Sequence, residues 1–217
     1  MFRSWPDGLP ADVEVCPVLL PGRGTRMSEA PFTRMSPLVE TLAQSLAPLL
    51  DRPFAFFGHS LGAWVGFELA RQLRRRSGAP PVRLFASAAR APQIAGRDRP
   101  IHALPEAEFL AELRRRNGIP REVLGNEEVM QIMLPVLRAD FAVFETYAYS
   151  AEPPLDCAIS VFGGLQDVRV SRGDLDAWRD QTTAAFSLRM FPGDHFFLNP
   201  TAPVFLQTLA QELPKER

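Results

Sequence analysis

Short apolar runs alternate with amphipathic, helix-like stretches along most of this chain. The alternation predicts an α/β fold with a mainly parallel sheet flanked by helices. Each run is rich in apolar residues and is bounded by polar or turn-forming residues, as buried strands are. The predicted strands are residues 13–20, 53–58, 82–88, 157–163 and 186–191.

The helices between these strands are located by apolar residues at helical spacing. Ser36 is a suitable N-cap with Pro37 at the first helical position, and an apolar stripe follows them. That stripe consists of Leu38, Leu42, Leu46 and Leu49. A second predicted helix, residues 61–76, is apolar on two faces, which is typical of a helix packed on a sheet, and Gly78 suits its C-cap.

Residues 101–150 interrupt the alternation with two consecutive predicted helices. The first covers residues 106–116 and the second runs from Asn126 toward Tyr149. Pro135 lies inside the second helix, so we expect a kink or a break there. Because no predicted strand separates these helices, we expect an insertion over the sheet that acts as a lid.

Composition and charge narrow the possible classes of protein. The 217 residues are 46% hydrophobic and 23% charged, which favours a single globular domain over residues 1–217. A net charge of −1 offers no footprint for nucleic acid or an anionic membrane, and no apolar run reaches the length of a membrane span. Cys16 and Cys157 lie in apolar runs and no secretory signal is recognisable. We therefore expect buried free thiols and a cytoplasmic location.

One segment carries the strongest chemical signal. Gly58-His59-Ser60-Leu61-Gly62 fits the pattern Gly-x-Ser-x-Gly and lies between a predicted strand and a predicted helix. In a nucleophile elbow this strained turn lifts the serine Oγ to the C-terminal edge of the sheet, and the glycines leave room for the strand and helix. We predict that Ser60 is the nucleophile of a serine hydrolase with the α/β-hydrolase fold. The alternative is an ordinary Ser-Gly loop.

A serine hydroxyl needs a general base, and the base needs an acid that orients it. In α/β-hydrolases the order along the chain is serine, acid, histidine. His195 follows the last predicted strand and is the predicted base. His102, the other histidine beyond Ser60, precedes the predicted lid and is interpreted as a surface loop residue.

Asp167 is the predicted acid because it lies just past the strand predicted at residues 157–163. Asp174 and Asp176 lie where a helix begins, and their charge there is explained by the helix dipole. Asp194 is adjacent to the predicted base in sequence, which makes it a poor orienting group.

These residues belong to a set of stretches that resembles the type II thioesterases, the stand-alone editing hydrolases of polyketide and nonribosomal peptide assembly lines. The resemblance runs from about residue 2 to residue 210. The Pro-Gly-Arg loop and the Arg-Ala-Asp-Phe helix narrow it beyond α/β-hydrolases in general. The matching stretches are residues 20–23 (Leu-Pro-Gly-Arg), 58–63 (Gly-His-Ser-Leu-Gly-Ala), 134–141 (Leu-Pro-Val-Leu-Arg-Ala-Asp-Phe), 163–167 (Gly-Gly-Leu-Gln-Asp) and 191–197 (Phe-Pro-Gly-Asp-His-Phe-Phe).

The resemblance implies hydrolysis of an acyl thioester carried on the phosphopantetheine arm of an acyl or peptidyl carrier protein. It also implies that the backbone N–H of Leu61 and a second N–H hold the tetrahedral oxyanion. On this basis we expect no cofactor or metal in the chain itself, a carrier protein as the partner, and a monomer.

The chain departs from the family at its start. The resemblance implies a first strand and a Gly-rich loop before a segment like Phe2-Arg3-Ser4-Trp5, and the loop donates the second oxyanion N–H. Since the sequence begins at Met1, we expect this strand and loop to be missing, with about 20–30 residues absent. The expected position of that strand is between the strands predicted at residues 13–20 and 53–58.

The predicted lid offers candidates for an acyl channel, since adaptable Met and aromatic side chains tolerate many acyl groups. The alternative is that its helices pack into a core. The candidates are Met133, Leu134, Phe141 and Phe144, together with Phe196 beside the predicted base. Arg23, Glu29, Arg138 and Asp140 are interpreted as structural anchors.

An arginine-rich stretch, residues 71–100, is compatible with docking of an acidic carrier protein, but cations that suit the end of a helix explain it better. Alternative functions are a general esterase, a fatty-acyl chain-terminating thioesterase, and a truncated, catalytically impaired chain. Comparing carrier-bound thioesters with simple oxygen esters separates the first of these from the type II thioesterase.

Overall fold

A computed structural model describes residues 2–77, 80–96, 99–115, 126–198 and 202–213. These residues form two compact units. One unit comprises residues 1–17, 39–95 and 149–217, and the other comprises residues 18–38 and 96–148. The α-helices, in chain order, are α1 (Met35–Leu46), α2 (Leu61–Ser77), α3 (Glu106–Arg115), α4 (Glu127–Glu145), α5 (Arg172–Asp176) and α6 (Ala202–Glu212).

The first unit is built on a four-stranded parallel sheet with the order β1-β2-β3-β4. Its strands are β1 (Ala55–His59), β2 (Arg83–Ser87), β3 (Ala158–Gly164) and β4 (Phe186–Phe191). Four of the strands predicted from apolar runs are thereby confirmed. β2 and β3 are buried almost throughout, as expected of inner strands covered on both faces.

The core on one side of the sheet is mainly aromatic. Phe205 and Leu209 of α6 pack with Phe162 of β3, Phe191 of β4 and Trp5 from the N-terminal segment. Ring centroids of Phe162 and Phe205 are 5.0 Å apart in an edge-to-face arrangement. Such contacts add to the stabilisation that burial of these large side chains provides.

The segment of residues 13–20, predicted to be a strand, is not one, and this prediction was wrong. Within the described part of the chain it makes no strand pairing, and β1 forms the edge of the sheet next to it in sequence. Val18 and Leu19 are 51% and 41% exposed. An apolar run becomes a strand only when a neighbour accepts its backbone hydrogen bonds, and no neighbour is paired with this run. Cys16, predicted to be buried, is exposed for the same reason.

Cys157 is buried, as predicted. Burial, and next the charge of Asp156, raise the pKa of its thiol to about 11. The thiol is therefore protonated and unreactive at neutral pH.

Helix α1 begins at Met35, one residue before the predicted N-cap Ser36, and ends at Leu46. Leu49, the last residue of the predicted apolar stripe, lies in the 3-10 turn that follows. Helix α2 follows the prediction closely, ending at Ser77. Its predicted C-cap Gly78 lies outside the described residues, as does Arg116, the predicted last residue of α3.

The arginines at the end of α2 are engaged within the protein. Arg71 is almost fully buried and pairs with Glu68 at 2.7 Å and Glu152 at 2.8 Å, and it donates to the carbonyl of Ser150 at 2.6 Å. Arg74 also pairs with Glu152, at 3.0 Å. These cations anchor the chain that leads into β3, so the docking role considered for them is not supported by their contacts.

Helix α6 is tied to the sheet by a polar cluster around Glu212. Its carboxylate pairs with Arg83 of β2 and Arg189 of β4, each at 3.0 Å. Ser160 of β3, which is fully buried, donates to the same carboxylate at 3.2 Å. Three strands and the last helix thus share one acceptor, the Glu212 carboxylate.

The second unit has its own core between α3 and α4. Phe109 and Leu113 of α3 pack with Met130 and Leu134 of α4. Asn126 caps α4 by accepting a hydrogen bond from the N–H of Val129, as predicted. We predicted a kink or a break at the internal proline; the helix is continuous through it, so there is no break, and it ends at Glu145.

Anchors inside this unit confirm the structural interpretation of its charged residues. Arg138 donates to the carbonyls of His102 and Leu104 at 2.5 and 2.7 Å. Arg23 pairs with Asp140 at 2.7 Å. Glu29 pairs with Arg26 on the surface. None of the described helices has the length and apolarity needed to cross a membrane.

Candidate active site

Ser60 occupies the turn between β1 and α2, as the sequence predicted, and its φ of +54° is positive. A residue other than glycine rarely adopts this backbone conformation, and holding it costs on the order of 1–3 kcal/mol. The N–H of Ser60 donates to the carbonyl of Ser87, the last residue of β2, at 2.7 Å. The neighbouring strand therefore fixes the strained turn that presents the serine side chain.

The two glycines of the motif differ in what they require. A Cβ on Gly58 would lie 2.0 Å from the carbonyl oxygen of Gly62 and 2.5 Å from the nitrogen of Ala63, so no side chain fits there. A Cβ on Gly62 would meet nothing within 4 Å in the described structure. The steric argument made for both glycines from the sequence therefore holds only for Gly58.

His195 and Asp167 are brought together by the structure. Nδ1 of the imidazole and Oδ2 of the carboxylate are 2.8 Å apart, and both side chains are buried. Since a carboxylate only accepts, Nδ1 carries the proton and Nε2 keeps its lone pair. This tautomer is the one in which a histidine acts as a base through Nε2.

The other oxygen of Asp167 accepts hydrogen bonds from the backbone N–H groups of Arg169 at 2.8 Å and Val170 at 3.4 Å. Burial acts to raise the pKa of this carboxyl, but the hydrogen bond and charge of His195 and these backbone donors outweigh it and hold the pKa below its ordinary value. Asp167 is therefore ionised at neutral pH, which suits a group that orients an imidazole.

The loops carrying the acid and the base are joined by contacts that the sequence did not reveal. Gln166 donates its N–H to the carbonyl of Gly193 at 2.9 Å, and its side-chain Oε1 accepts from the N–H of Gly193 at 2.6 Å. A Cβ on Gly164 would lie 2.2 Å from the carbonyl oxygen of Asp194. Only a glycine permits this close approach of the end of β3 to the base loop.

Ser60 and His195 are both described, and no hydrogen bond joins Ser60 Oγ to the imidazole. His59 is close to both residues: it precedes the serine in sequence, and its ring centroid lies 5.3 Å from that of His195. Hydrogen bonds between nucleophile and base are often loose without substrate and tighten when it binds.

The competitors of the predicted base and acid have structural roles. His102, in the second unit, bonds to the carboxylate of Glu145 through Nδ1 at 2.7 Å, so it is held rather than free on the surface. Asp174 completes a capping box with Ser171 at the start of α5. Asp176 pairs with Arg179, and Asp194 accepts from the N–H of Phe196.

Leu61, the predicted oxyanion donor, is the first residue of α2. The first N–H groups of a helix have no partner within it and point toward the positive end of the helix dipole. A negative oxygen placed above Ser60 would be stabilised at this position. The assignment of Leu61 as a donor remains a prediction.

The channel candidates fall into different environments. Leu134 is buried in the core between α3 and α4, and Phe141 packs against that core with its ring edge-to-face to Phe109. Met133 and Phe144 are half-buried, and Phe196 is half-buried with its ring 5.3 Å from that of His195. The packing of Leu134 and Phe141 supports the alternative of a helix packed into its core.

No group of three or more metal-ligating side chains is found in the part of the chain that the structure describes. The candidate active site combines a serine on a strained turn, an imidazole oriented by its hydrogen bond to Asp167, and an ionised carboxylate.

Comparisons with known proteins agree with this chemistry. The thioesterase domain model matches residues 1–213. The chain is 44% identical to the gramicidin S biosynthesis protein GrsT of Aneurinibacillus migulanus, over 98% of this chain and 83% of that protein. The solved structure of RedJ, a thioesterase from the prodiginine biosynthetic pathway in Streptomyces coelicolor, is 41% identical with a TM-score of 0.89, over 98% of this chain and 80% of that one.

A further solved structure, the type II thioesterase YbtT from the yersiniabactin NRPS/PKS biosynthetic pathway, is 33% identical with a TM-score of 0.81. The match covers 91% of this chain and 80% of that one. The parallel sheet flanked by helices is the architecture expected of an α/β-hydrolase. The chain belongs to the thioesterase family and has its α/β-hydrolase fold, and type II thioesterases are among its relatives.

Proposed function

We propose that this protein hydrolyses acyl thioesters carried on the phosphopantetheine arm of acyl or peptidyl carrier proteins in nonribosomal peptide or polyketide biosynthesis. The observation that carries the proposal is the 2.8 Å bond between His195 and Asp167 on loops beside the Ser60 elbow, in a chain of the thioesterase family. The biosynthetic pathways named for the similar proteins GrsT, RedJ and YbtT support the proposal.

In the first half of the reaction, Nε2 of His195 takes the proton of the Ser60 hydroxyl while Oγ forms a bond to the thioester carbonyl carbon. The negative charge on the tetrahedral oxygen is stabilised by the N–H of Leu61 at the start of α2. The carbon–sulfur bond then breaks, and the imidazolium returns its proton to the departing thiol. The acyl group remains on Ser60 as an ester.

In the second half, His195 removes a proton from water as the water oxygen attacks the acyl ester. Collapse of the second tetrahedral intermediate breaks the bond to Oγ, which regains the proton, and the free acid leaves. Asp167 stays ionised throughout and stabilises the imidazolium that forms in each half. Every group used in these steps comes from the chain, the substrate or water, so the proposal needs no cofactor in the chain.

The partner in this proposal is a carrier protein. The protein acts in the cytoplasm, where such a partner and its acyl thioesters are available, and it acts as a monomer. The carrier contributes the phosphopantetheine thiol as leaving group. A thiol near its ordinary pKa of about 8.5 leaves far more easily than an alkoxide. The reaction therefore favours thioesters over oxygen esters bearing the same acyl group.

The test compares one acyl group in three forms: bound to a holo carrier protein, bound to free pantetheine, and as an ethyl ester. We expect the wild-type protein to have the highest kcat/KM with the carrier-bound thioester. The matched control is Ser60→Ala, which leaves the volume of the elbow almost unchanged and should abolish turnover. Equal or higher kcat/KM with the ethyl ester would show a general esterase, and turnover by Ser60→Ala would contradict the mechanism.

A further inference from the structure

His59, the last residue of β1, lies among the side chains of the loop that carries the predicted base. Its ring centroid is 5.3 Å from that of His195, 6.3 Å from that of Phe196 and 6.2 Å from that of Phe197. The three partners are consecutive in sequence, so a single β1 side chain packs against this part of the base loop. His59 is also the residue that directly precedes Ser60, and it therefore connects the elbow with the base loop.

Ser87 holds His59 in a fixed orientation. Its Oγ lies 3.0 Å from Nδ1 of the His59 ring, and Ser87 is fully buried at the end of β2, directly opposite His59 in the parallel register. The carbonyl of the same residue accepts the N–H of Ser60 at 2.7 Å. One residue of β2 therefore sets both the backbone of the elbow and the ring that supports the base loop.

The His59 ring is neutral. Nε2 is buried and makes no hydrogen bond of regular geometry among the described residues. Burial first, and the charge of the neighbouring His195 second, lower the pKa of His59 to about 4. A neutral ring beside His195 offers contact without opposing the positive charge that the base acquires when it deprotonates the serine.

We infer that His59 is a positioning residue for the base: its ring, oriented by Ser87, holds the loop of His195 so that the imidazole stays aligned between Asp167 and Ser60. The inference rests on the proposed function, since it assigns His195 the role of base. It assigns no contact with substrate to His59. The alignment of a base is worth much in rate, because a displacement of about 1 Å costs on the order of 100-fold.

Fluorophosphonate labelling of Ser60 tests the inference without any thioester substrate, because labelling requires only an activated serine. The variants are His59→Asn, which keeps a polar atom for Ser87 but loses most of the ring, His59→Phe, which keeps a ring, and Ser87→Ala. The matched control is Ser160→Ala, which removes another fully buried strand hydroxyl, on β3, far from the base loop in sequence. Labelling rates are measured against pH, and thermal midpoints are measured for each variant.

We expect His59→Asn to lower the labelling rate on the order of 10- to 100-fold, and His59→Phe to recover part of it. Ser87→Ala should lower the rate less, while leaving the Ser60 backbone bond, which uses the main-chain carbonyl. In His59→Asn and Ser87→Ala the midpoint of the rate–pH profile should move to lower pH, because a loosened imidazolium loses stabilisation by the Asp167 carboxylate. Ser160→Ala should lose stability but keep the wild-type rate and profile.

Wild-type rates and pH midpoints in both His59→Asn and Ser87→Ala would overturn the inference. A loss of rate that follows only the loss of thermal stability, as in Ser160→Ala, would assign His59 a structural role instead. If His59→Asn does not fold, Ser87→Ala and His59→Phe decide the matter by the same two readouts. A wild-type protein that labels but does not hydrolyse carrier-bound thioesters would refute the proposed function alone.

Discussion

Gln166 and Gly193 exchange two hydrogen bonds across the loops that carry the acid and the base. The backbone N–H of Gln166 donates to the carbonyl of Gly193, and the side-chain Oε1 of Gln166 accepts from the N–H of Gly193. Gly193 has a φ of +120°, a conformation that favours glycine. Asp167 directly follows Gln166, and His195 is two residues after Gly193. The exchange therefore helps to set the distance between the Asp167 carboxylate and the His195 imidazole.

Replacing Gln166 by Met should therefore weaken catalysis more than stability. Met has nearly the same length but cannot accept the N–H of Gly193, while the exposed position of Gln166 limits the effect on folding. We expect kcat/KM for a carrier-bound thioester to fall about tenfold, with the thermal midpoint nearly unchanged. The control is Gln166→Glu, which keeps an acceptor oxygen and should retain more activity at neutral pH. Equal activity of Gln166→Met and wild type would show that the hydrogen bond from Gly193 to the Gln166 side chain is not needed for catalysis.

The two glycines of the elbow should respond in opposite ways to the same substitution. Gly58→Ala places a Cβ against the backbone of Gly62 and Ala63, which cannot move without opening the turn. We expect it to destabilise the protein by several kcal/mol, about 3 or more, and to abolish labelling of Ser60. Gly62→Ala meets open space in the described structure and lies in α2, where Ala is preferred over Gly by about 1 kcal/mol. Chemical denaturation distinguishes them, and equal destabilisation by both would contradict this difference.

The buried ion pairs of Arg71 should dominate the stability of the connection between α2 and β3. Arg71→Met keeps the aliphatic volume but removes the almost fully buried cation that pairs with Glu68 and Glu152. We expect the free energy of unfolding to fall by about 3 kcal/mol. Arg52→Met removes an exposed pair with Glu14 and should change it by less than about 0.5 kcal/mol. A small effect of Arg71→Met, measured by urea unfolding, would show that this network contributes little.

His59 should make the protein less stable as the pH falls from about 6.5 to about 4. The pKa of His59 is lowered to about 4 in the folded protein, whereas an unfolded chain has a histidine pKa near 6.5. Between these values the unfolded state binds more protons, so the stability due to the neutral ring is complete above about pH 6.5 and is lost as the pH falls.

The loss is at most about 3 kcal/mol. The measurement is the free energy of unfolding at several pH values for wild type and His59→Phe. The difference between the two should depend on pH in this window and be constant above it. A constant difference throughout would mean that His59 titrates normally.

Local patterns in the sequence were sufficient for the elements that carry the site. Four apolar runs became β1 to β4, and the Gly-x-Ser-x-Gly segment became a strained turn between β1 and α2. Such features depend on neighbours within a few residues, so their signal is present in a single sequence. The relation of Asp167 to His195 was predictable only because the order of acid and base follows the order of the strands.

Features that depend on distant partners were not predictable in this way. Residues 13–20 have the composition of a strand, but a strand exists only when another pairs with it. The roles of two side chains depend on such partners. The ring of His59 contacts Ser87 in the neighbouring strand, and Arg71 pairs with Glu152, far along the chain. The difference in steric demand between Gly58 and Gly62 likewise required backbone coordinates.

The most direct test of the central claim is to trap the acyl-enzyme. Wild-type protein is mixed with an acylated carrier protein, quenched within one turnover, digested and analysed by mass spectrometry. We predict that the acyl mass appears on the peptide containing Ser60, and that neither Ser60→Ala nor His195→Ala gains it. An acyl group released by Ser60→Ala at the wild-type rate, or attached to another residue of the wild type, would contradict the assignment of Ser60 as the nucleophile of a carrier-protein thioesterase.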